Sequence, residues 1–370
     1  MPALERIKIE GFKSIRSTEV ELRSLNVLIG ANGSGKSNFV GVFRFLHELI
    51  GGNLRLYVAR AGGADAFLYF GRKTTDELLL SVAFVPKSGR ANSYSCTLVP
   101  TSDGSFVFQD EHAQSHDRNK YRQPYLTSLG KGQTESQLEQ AIQRDKVAYY
   151  VHNAMQSWRV YHFHDTSDSA KVKQVSDIHD NRFLRNDAGN LAAYLYLLRT
   201  TKPDHYRKIV GTIQLIAPFF DDFSLRPDPI NPGKIRLEWS EKGSDLYFSA
   251  SALSDGTLRF ISLATLLLQP AEQLPSTILL DEPELGLHPY AISVLAGLLR
   301  AAAEKTQVIV STQSVSLVNE FSAEDILVVE RAQGETVFRR FERQQIDEWL
   351  EEYALGELWE KNLLGGRPGA

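Results

Sequence analysis

Gly30-Ala31-Asn32-Gly33-Ser34-Gly35-Lys36-Ser37 fits the pattern G-x-x-x-x-G-K-[ST], a loop that wraps backbone amides around nucleotide phosphates. The apolar run Leu25-Asn26-Val27-Leu28-Ile29 precedes it and reads as a buried strand. Phe39, Val42, Phe43 and Leu46 follow at helical spacing. Strand, glycine loop and helix, in that order, is the setting the motif needs. Gly30, Gly33 and Gly35 allow φ values and close approaches that a Cβ would block. The loop amides and the helix N-terminus supply positive potential for the α- and β-phosphates. Lys36 is expected to reach the β- and γ-phosphates, and the Ser37 hydroxyl to ligate Mg²⁺.

Further along, Thr277-Ile278-Leu279-Leu280-Asp281-Glu282-Pro283 is an apolar strand ending in two carboxylates. Two acids at a strand end are ordinarily a solvated turn. With a phosphate loop upstream, Asp281 is expected to hold Mg²⁺ through a water, and Glu282 to polarise the attacking water as general base. Leu253-Ser254-Asp255-Gly256-Thr257-Leu258-Arg259 reads as a helix start, where a serine hydroxyl, a glycine amide and a helix N-terminus can hold an anion. Alone it would be only a good helix cap. Its place 22 residues before Asp281-Glu282 gives it meaning.

The chain has 370 residues, 42% of them hydrophobic, enough for a large core and about two domains. A net charge of −4 excludes a global basic footprint for nucleic acid. Cys96 is the only cysteine, so no intrachain disulfide forms, which agrees with a reducing cytoplasm. The N-terminus carries charge at once and has no apolar signal core, and no apolar run approaches a membrane span.

Leu4–Glu10, Ser17–Leu22, Leu78–Val85 and Tyr94–Val99 read as strands, with a turn at Pro86–Gly89 and a short strand at Phe106–Phe108. Asn53–Arg72 looks irregular. Residues 111–131 are polar and expected as a loop; a helix is expected from about 135 to 157, opened by the box Thr134-x-x-Gln137, with two more helices before Pro218. Three parts follow: residues 1–110, a mainly helical insertion over 111–224, and 225–370. The strands Thr277–Leu280 and Gln307–Val310, separated by the Tyr290–Ala303 helix, argue for a parallel core sheet. A late hairpin is expected at Ile326–Val329 and Thr336–Phe338. Trp349, Tyr353, Leu355, Leu358 and Trp359 look like a terminal helix packing on the head, or a partner surface.

Taken together these segments resemble an ABC-type ATPase head of the RecF/SMC kind, in the AAA-like branch that also supplies the N-terminal half of OLD-family nucleases. Ile9-Glu10-Gly11-Phe12-Lys13-Ser14-Ile15 resembles the opening SMC segment, Gly30–Asn38 the Walker A loop and Leu253–Gly256 the signature. Leu279–Pro283 resembles Walker B, and Leu285-Gly286-Leu287-His288-Pro289 the D-loop. The resemblance implies an α/β P-loop NTPase with a mixed N-terminal sheet, a parallel core sheet and a helical insertion. It implies a Mg²⁺-dependent ATPase whose two copies close around two ATP molecules; slow turnover is expected from Gln313 at the switch position, and a cytoplasmic setting from the lone cysteine and charged N-terminus. Gly30, Ala31, Asn32, Gly33, Ser34, Gly35, Lys36, Ser37 and Asn38 of one copy would bind ATP, while Ser254 and Gly256 of the other touch its γ-phosphate. Asp281 and Ser37 would hold the metal; Glu282, Lys36 and Gln313 would act in catalysis. His288 belongs with the D-loop contact between copies.

One departure concerns the switch residue. Val310-Ser311-Thr312-Gln313-Ser314 has glutamine where this family usually has histidine, so the position donates a hydrogen bond but does not titrate near neutrality. The pattern assigns no position to a Q-loop glutamine; Gln109 and Gln114 fall in a stretch without a clear period. His112 with His116, and His162 with His164, lack a Cys or acid cluster and are expected as packing or surface residues. Arg339, Arg340 and Arg343 form a basic cluster, expected as a solvated face. After Gln313 the sequence is too short for the Toprim nuclease domain of OLD-type relatives. The expected partners are a second copy of the chain, DNA in a RecF-like clamp, or a separately encoded effector held by a regulatory ATPase.

Overall fold

The computed structural model describes residues 3–85, 90–117, 120–341, 347–350 and 352–366. The chain opens with β1 (Ala3–Phe12), β2 (Ile15–Glu21) and β3 (Leu25–Ile29). Next come α1 (Lys36–Ile50) and α2 (Leu54–Arg60), then β4 (Leu78–Val85), β5 (Arg90–Pro100), β6 (Phe106–Asp117) and β7 (Tyr125–Gly130). The expected turn at 86–89 lies outside the described residues. Six of these strands form one sheet in the order β2-β1-β4-β5-β6-β7, antiparallel in every pair.

Two expectations are corrected here. Residues 54–60, taken as irregular, form α2. Residues 111–131, taken as a loop, are mostly the second half of β6 and all of β7, joined in register from Ser115↔Tyr125 to Glu111↔Gly130. The inward positions of β6 include Glu111, so the apolar alternation that marks a strand breaks there. The buried Glu111 carboxylate accepts from the Tyr94 hydroxyl (2.8 Å), the Gln137 amide (3.0 Å) and the Ser136 hydroxyl. It thus fastens the chain that leaves β7.

The expected 135–157 helix is also revised. It divides into α3 (Leu138–Ala141) and α4 (Lys146–Gln156), and Gln137 caps α3 without a side-chain bond. The working cap is Asp145, whose Oδ1 accepts from the amides of Val147 (2.7 Å) and Ala148 (3.0 Å). Trp158, just past the expected end of that helix, begins the strand β8 (Trp158–Tyr161).

A short β9 (Ser176–Asp177) precedes α5 (Leu191–Thr201), α6 (Pro203–Ile216) and β10 (Phe220–Phe223). β11 (Lys234–Ile235), β12 (Glu238–Glu241) and β13 (Tyr247–Ser249) lead into α7 (Asp255–Leu268). The rest is β14 (Thr277–Asp281), α8 (Pro289–Ala303), β15 (Gln307–Thr312), α9 (Val315–Val318), β16 (Ile326–Ala332), β17 (Glu335–Arg339), α10 (Asp347–Leu350) and α11 (Leu355–Glu360).

The second large sheet runs β17-β16-β3-β15-β14-β8. All its pairs are parallel except the β16–β17 hairpin at one edge. Buried on both faces, its strands are continuous apolar runs. Leu28, Leu279, Ile309 and Val329 pack towards α1 and the antiparallel sheet. Val27, Ile278, Val308 and Val328 face the opposite way, into the core that holds α5, α7 and α8. The helix α1 is therefore sandwiched between two sheets, with Phe39, Val42, Phe43, Phe45 and Leu46 all buried. Each such side chain contributes about 2 kcal/mol on leaving water. That packing fixes the helix whose N-terminus closes the glycine loop.

Candidate active site

The carboxyl ends of β3, β15, β14 and β8 lie along one edge of the parallel sheet, where open α/β sheets place their ligands. The glycine loop leaves β3, Glu282 leaves β14 and Gln313 leaves β15. Gly35, with φ of 114°, stands at the N-terminus of α1. A Cβ on Gly35 would lie 2.1 Å from Thr336 Oγ1, and one on Gly30 would lie 2.1 Å from the Val329 carbonyl oxygen. The loop is thus pressed against the β16–β17 hairpin and requires glycine at both positions. Gly33, with φ of 79°, has open space on the outer side.

Thr336 organises the inner side. Its Oγ1 donates to the Ser34 carbonyl (2.9 Å) and lies 2.7 Å from Ser14 Oγ, which accepts from Asn38 Nδ2 (2.7 Å). Its amide donates to the Ser14 carbonyl (2.8 Å). The Ala31 amide donates to the Gly366 carbonyl (2.7 Å), so the end of the described chain also braces the loop.

Lys36 is buried, with Nζ donating to the carbonyls of Gly30 (2.5 Å) and Ala31 (3.0 Å). Burial pulls its pKa below the usual lysine value, and the nearby carboxylates of Glu282, Asp281 and Glu284 push it back up. Ser311 donates to Asp281 Oδ1, and Thr312 to Glu284 Oε1. Gln313 Nε2 donates to Glu282 Oε1. The last two residues of β15 and the residue after it therefore hold the three acids of the Asp281–Glu284 stretch one by one. Glu282 has φ of 43°, an uncommon backbone state for a residue with a side chain, fixed by its amide donating to the Ser311 carbonyl (2.8 Å). Glu284 is buried; its carboxyl is pushed above the ordinary glutamate value by that burial, and its Oε2 has no partner among the described residues.

Ser254 caps α7, its exposed Oγ accepting from the Thr257 amide (3.2 Å). A Cβ on Gly256 would lie 2.4 Å from the Gly286 carbonyl oxygen, so the start of α7 abuts the Leu285–Pro289 turn. Arg259, buried one turn further on, donates through Nε to the Phe163 carbonyl (3.0 Å) and through Nη2 to the His164 carbonyl (3.2 Å). His288 caps α8, accepting from the Tyr290 amide (3.4 Å). Lys36, Asp281, Glu282 and Gln313 are thus gathered at one place, whereas Ser254 and Gly256 border the neighbouring turn.

The pocket chemistry suits a nucleoside triphosphate. The Ser34 hydroxyl is buried and unpartnered among the described residues, Gly33 leaves an open cradle, and a lysine ammonium faces three acids. Sequence reasoning left Thr336, Ser311, Thr312, Glu284 and Arg259 without roles. Ser311 and Thr312 had a visible signal, since they directly precede Gln313. Thr336 had none, because its partner Ser14 is 322 residues away.

Other expectations resolve differently. Gln109 and Gln114 are on β6, separated from β1 by two strands of the antiparallel sheet, and Gln114 Oε1 accepts from Ser93 (3.1 Å). Arg339 donates to the Leu364 carbonyl (2.8 Å), and Arg340 bonds the carbonyls of Glu21 and Glu324 and the Asn26 side chain, so this pair is structural. Arg343 lies outside the described residues.

A family described as "AAA domain, putative AbiEii toxin, Type IV TA system" matches residues 25–319. The chain belongs to this AAA family. Within the family's reach, the Old nuclease of Escherichia phage P2 is 26% identical over 198 residues, covering 49% of this chain and 34% of that protein. The AAA chain thus spans about a third of the length of that curated relative. Among solved structures, the Smc head bound to the C-winged helix domain of ScpA superposes with a TM-score of 0.62 at 17% identity, covering 93% of this chain and 99% of the other. An Smc head with an extended coiled coil, bound to the C-terminal domain of ScpA derived from Pyrococcus furiosus, gives 0.62 at 16% identity, covering 95% and 99%. The AAA chain therefore has the ABC-ATPase head fold. No helix among the described residues is long and apolar enough to cross a membrane.

Proposed function

We propose that this AAA-family head binds ATP with Mg²⁺, hydrolyses it slowly, and uses the cycle to pair with a second copy and regulate a separate effector protein. The observation that carries this reading is the bond from Gln313 to Glu282 beside the Lys36 loop. When bound, MgATP supplies the phosphoanhydride and a cation that draws charge from it. The loop from Gly30 to Asn38 would hold the phosphates, with Ser37 and Asp281 turned to the cation. Lys36 would leave the carbonyls of Gly30 and Ala31 for phosphate oxygens, which is a gain because those oxygens carry full charge. Glu282 would take a proton from the attacking water, aimed by Gln313.

Pairing is supported by two exposed apolar residues, Leu285 and Tyr290, flanking the Gly286–His288 turn beside the Ser254 cap. A second copy could set Ser254 and Gly256 against the γ-phosphate held by the first. An effector-holding role draws on the Smc heads, whose structures were solved with ScpA segments bound. The test has two arms. Purified protein should hydrolyse ATP only with Mg²⁺ present, and Lys36→Ala should abolish it. Tagged Glu282→Gln, expressed with its genomic neighbours, should retain one of their products with ATP and release it with ADP. Hydrolysis that survives Lys36→Ala sinks the enzymatic part; recovery without any partner in either state sinks the regulatory part.

A further inference from the structure

A second cationic cleft opens on the far side of α1. It encloses about 440 Å³ between the outer part of α1, the end of β8 and the 183–187 segment, and His47, Arg159, His162, Phe183 and Arg185 line it. Its floor is tied together where the His162 amide donates to the Asn186 carbonyl (2.9 Å). Arg44 joins at the rim, bonded to the His162 ring. Burial, reinforced by Arg44, pushes that ring down to about 4, so it is neutral and can accept from a cation or donate to an anion.

The guanidinium groups here are not used up by acids. Arg159 donates to the carbonyls of Gln156 (2.5 Å) and Trp158 (2.8 Å) and lies 5.7 Å from the centroid of the Phe183 ring. Neither Arg44 nor Arg159 has a carboxylate partner among the described residues. Arg185 is exposed and pairs with Asp180, its Nε lying 2.7 Å from Oδ2. The acid in the lining, Asp187, is held by Lys171 at 2.8 Å. An anion entering the cleft would therefore meet free guanidinium edges. Phe183 is 50% exposed beside them, an aromatic face open to stacking.

We infer that this cleft is a nucleotide-unit site, separate from the glycine loop, that takes a phosphate on Arg159 and Arg185 and a base on Phe183. Planar guanidinium forks match phosphate oxygens, and an exposed ring stacks any base without sequence preference. The space is larger than a bare phosphate needs. The site also has a route to the loop. β8 pairs with β14 up to Tyr161↔Leu280, so the next residue, His162, falls beside Asp281. A ligand at His162 would thus sit one strand from the acid expected to hold the metal.

One chemistry here has two sources, a free mononucleotide or a unit of a single strand. Both are probed on Lys36→Ala protein, which silences the glycine loop, using dTMP by calorimetry and labelled oligo(dT) by anisotropy at low salt. At least one probe should bind, and binding should weaken roughly tenfold or more in Phe183→Ala and in the double variant Arg159→Ala/Arg185→Ala. Binding of dTMP alone assigns the site to a free nucleotide; binding of oligo(dT) alone, with a steep salt dependence, assigns it to a strand. Phe183 and Arg185 are exposed and Arg159 is half-buried, and unchanged thermal melting of the variants certifies their fold. No binding of either probe, or binding indifferent to the three substitutions, overturns the inference.

Discussion

The Gln313 side-chain amide donates to Oε1 of Glu282, joining the residue after β15 to the residue after β14 across the edge of the parallel sheet. Glutamine keeps this bond at every physiological pH. Gln313→Ala should lower kcat about tenfold, as expected for one bond to a charged group, with little change in ATP affinity. Gln313→His should instead make kcat depend on pH around the histidine range, about 6.5, where the parent profile is flat. A kcat profile from pH 5.5 to 8.5 on both variants checks this.

Lys36 is already buried and bonded to two carbonyls before any ligand arrives. Its replacement by alanine removes the charge proposed to meet the nucleotide phosphates. ATP affinity, measured by calorimetry, should fall by on the order of a hundredfold, the upper range for charged hydrogen bonds. The melting temperature in the absence of nucleotide should change little, because the departing ammonium is itself costly to bury.

Gly256 touches the Gly286 carbonyl with no room for a methyl group. Gly256→Ala should move the start of α7 away from the Leu285–Pro289 turn while leaving the glycine loop intact. ATP binding to the single copy should persist, and ATP-dependent pairing should be lost. Calorimetry and light scattering on the same sample separate the two effects.

Glu284 gives a pH signature. Burial holds its folded carboxyl above the ordinary value of 4.5, so the native state favours the proton. The stability this adds is complete below 4.5 and is lost as pH rises through the folded value. Glu284→Gln keeps an acceptor for Thr312 and removes the charge. The variant should melt higher than the parent at pH 7.5 and close to it at pH 4. A parent that is the more stable at pH 7.5 would contradict this.

The parts that sequence made legible are those with local causes. The strands β3, β14 and β15 are buried on both faces, and each carries its motif at its carboxyl end, so a short apolar run and the next few residues sufficed. Ser254 was legible as a cap for the same reason. The second half of β6 and all of β7 were not, because Glu111 occupies an inward position and its hydroxyl and amide partners come from elsewhere in the chain. β8 has four residues, too few to show a period, and is a strand only because β14 pairs with it. The Ser14–Thr336 bridge that steadies the loop joins opposite ends of the chain and leaves no trace in either neighbourhood.

The central claim is that two copies of this chain share ATP between the Lys36 loop of one and the Ser254 cap of the other. It is tested most directly by the mass of Glu282→Gln in size-exclusion chromatography with light scattering, with ATP and Mg²⁺. Twice the 41.5 kDa chain mass with ATP, falling to the single mass with ADP or on adding Ser254→Arg, is the predicted result. A single-chain mass at every ATP concentration, in protein that calorimetry shows to be ATP-loaded, would contradict it.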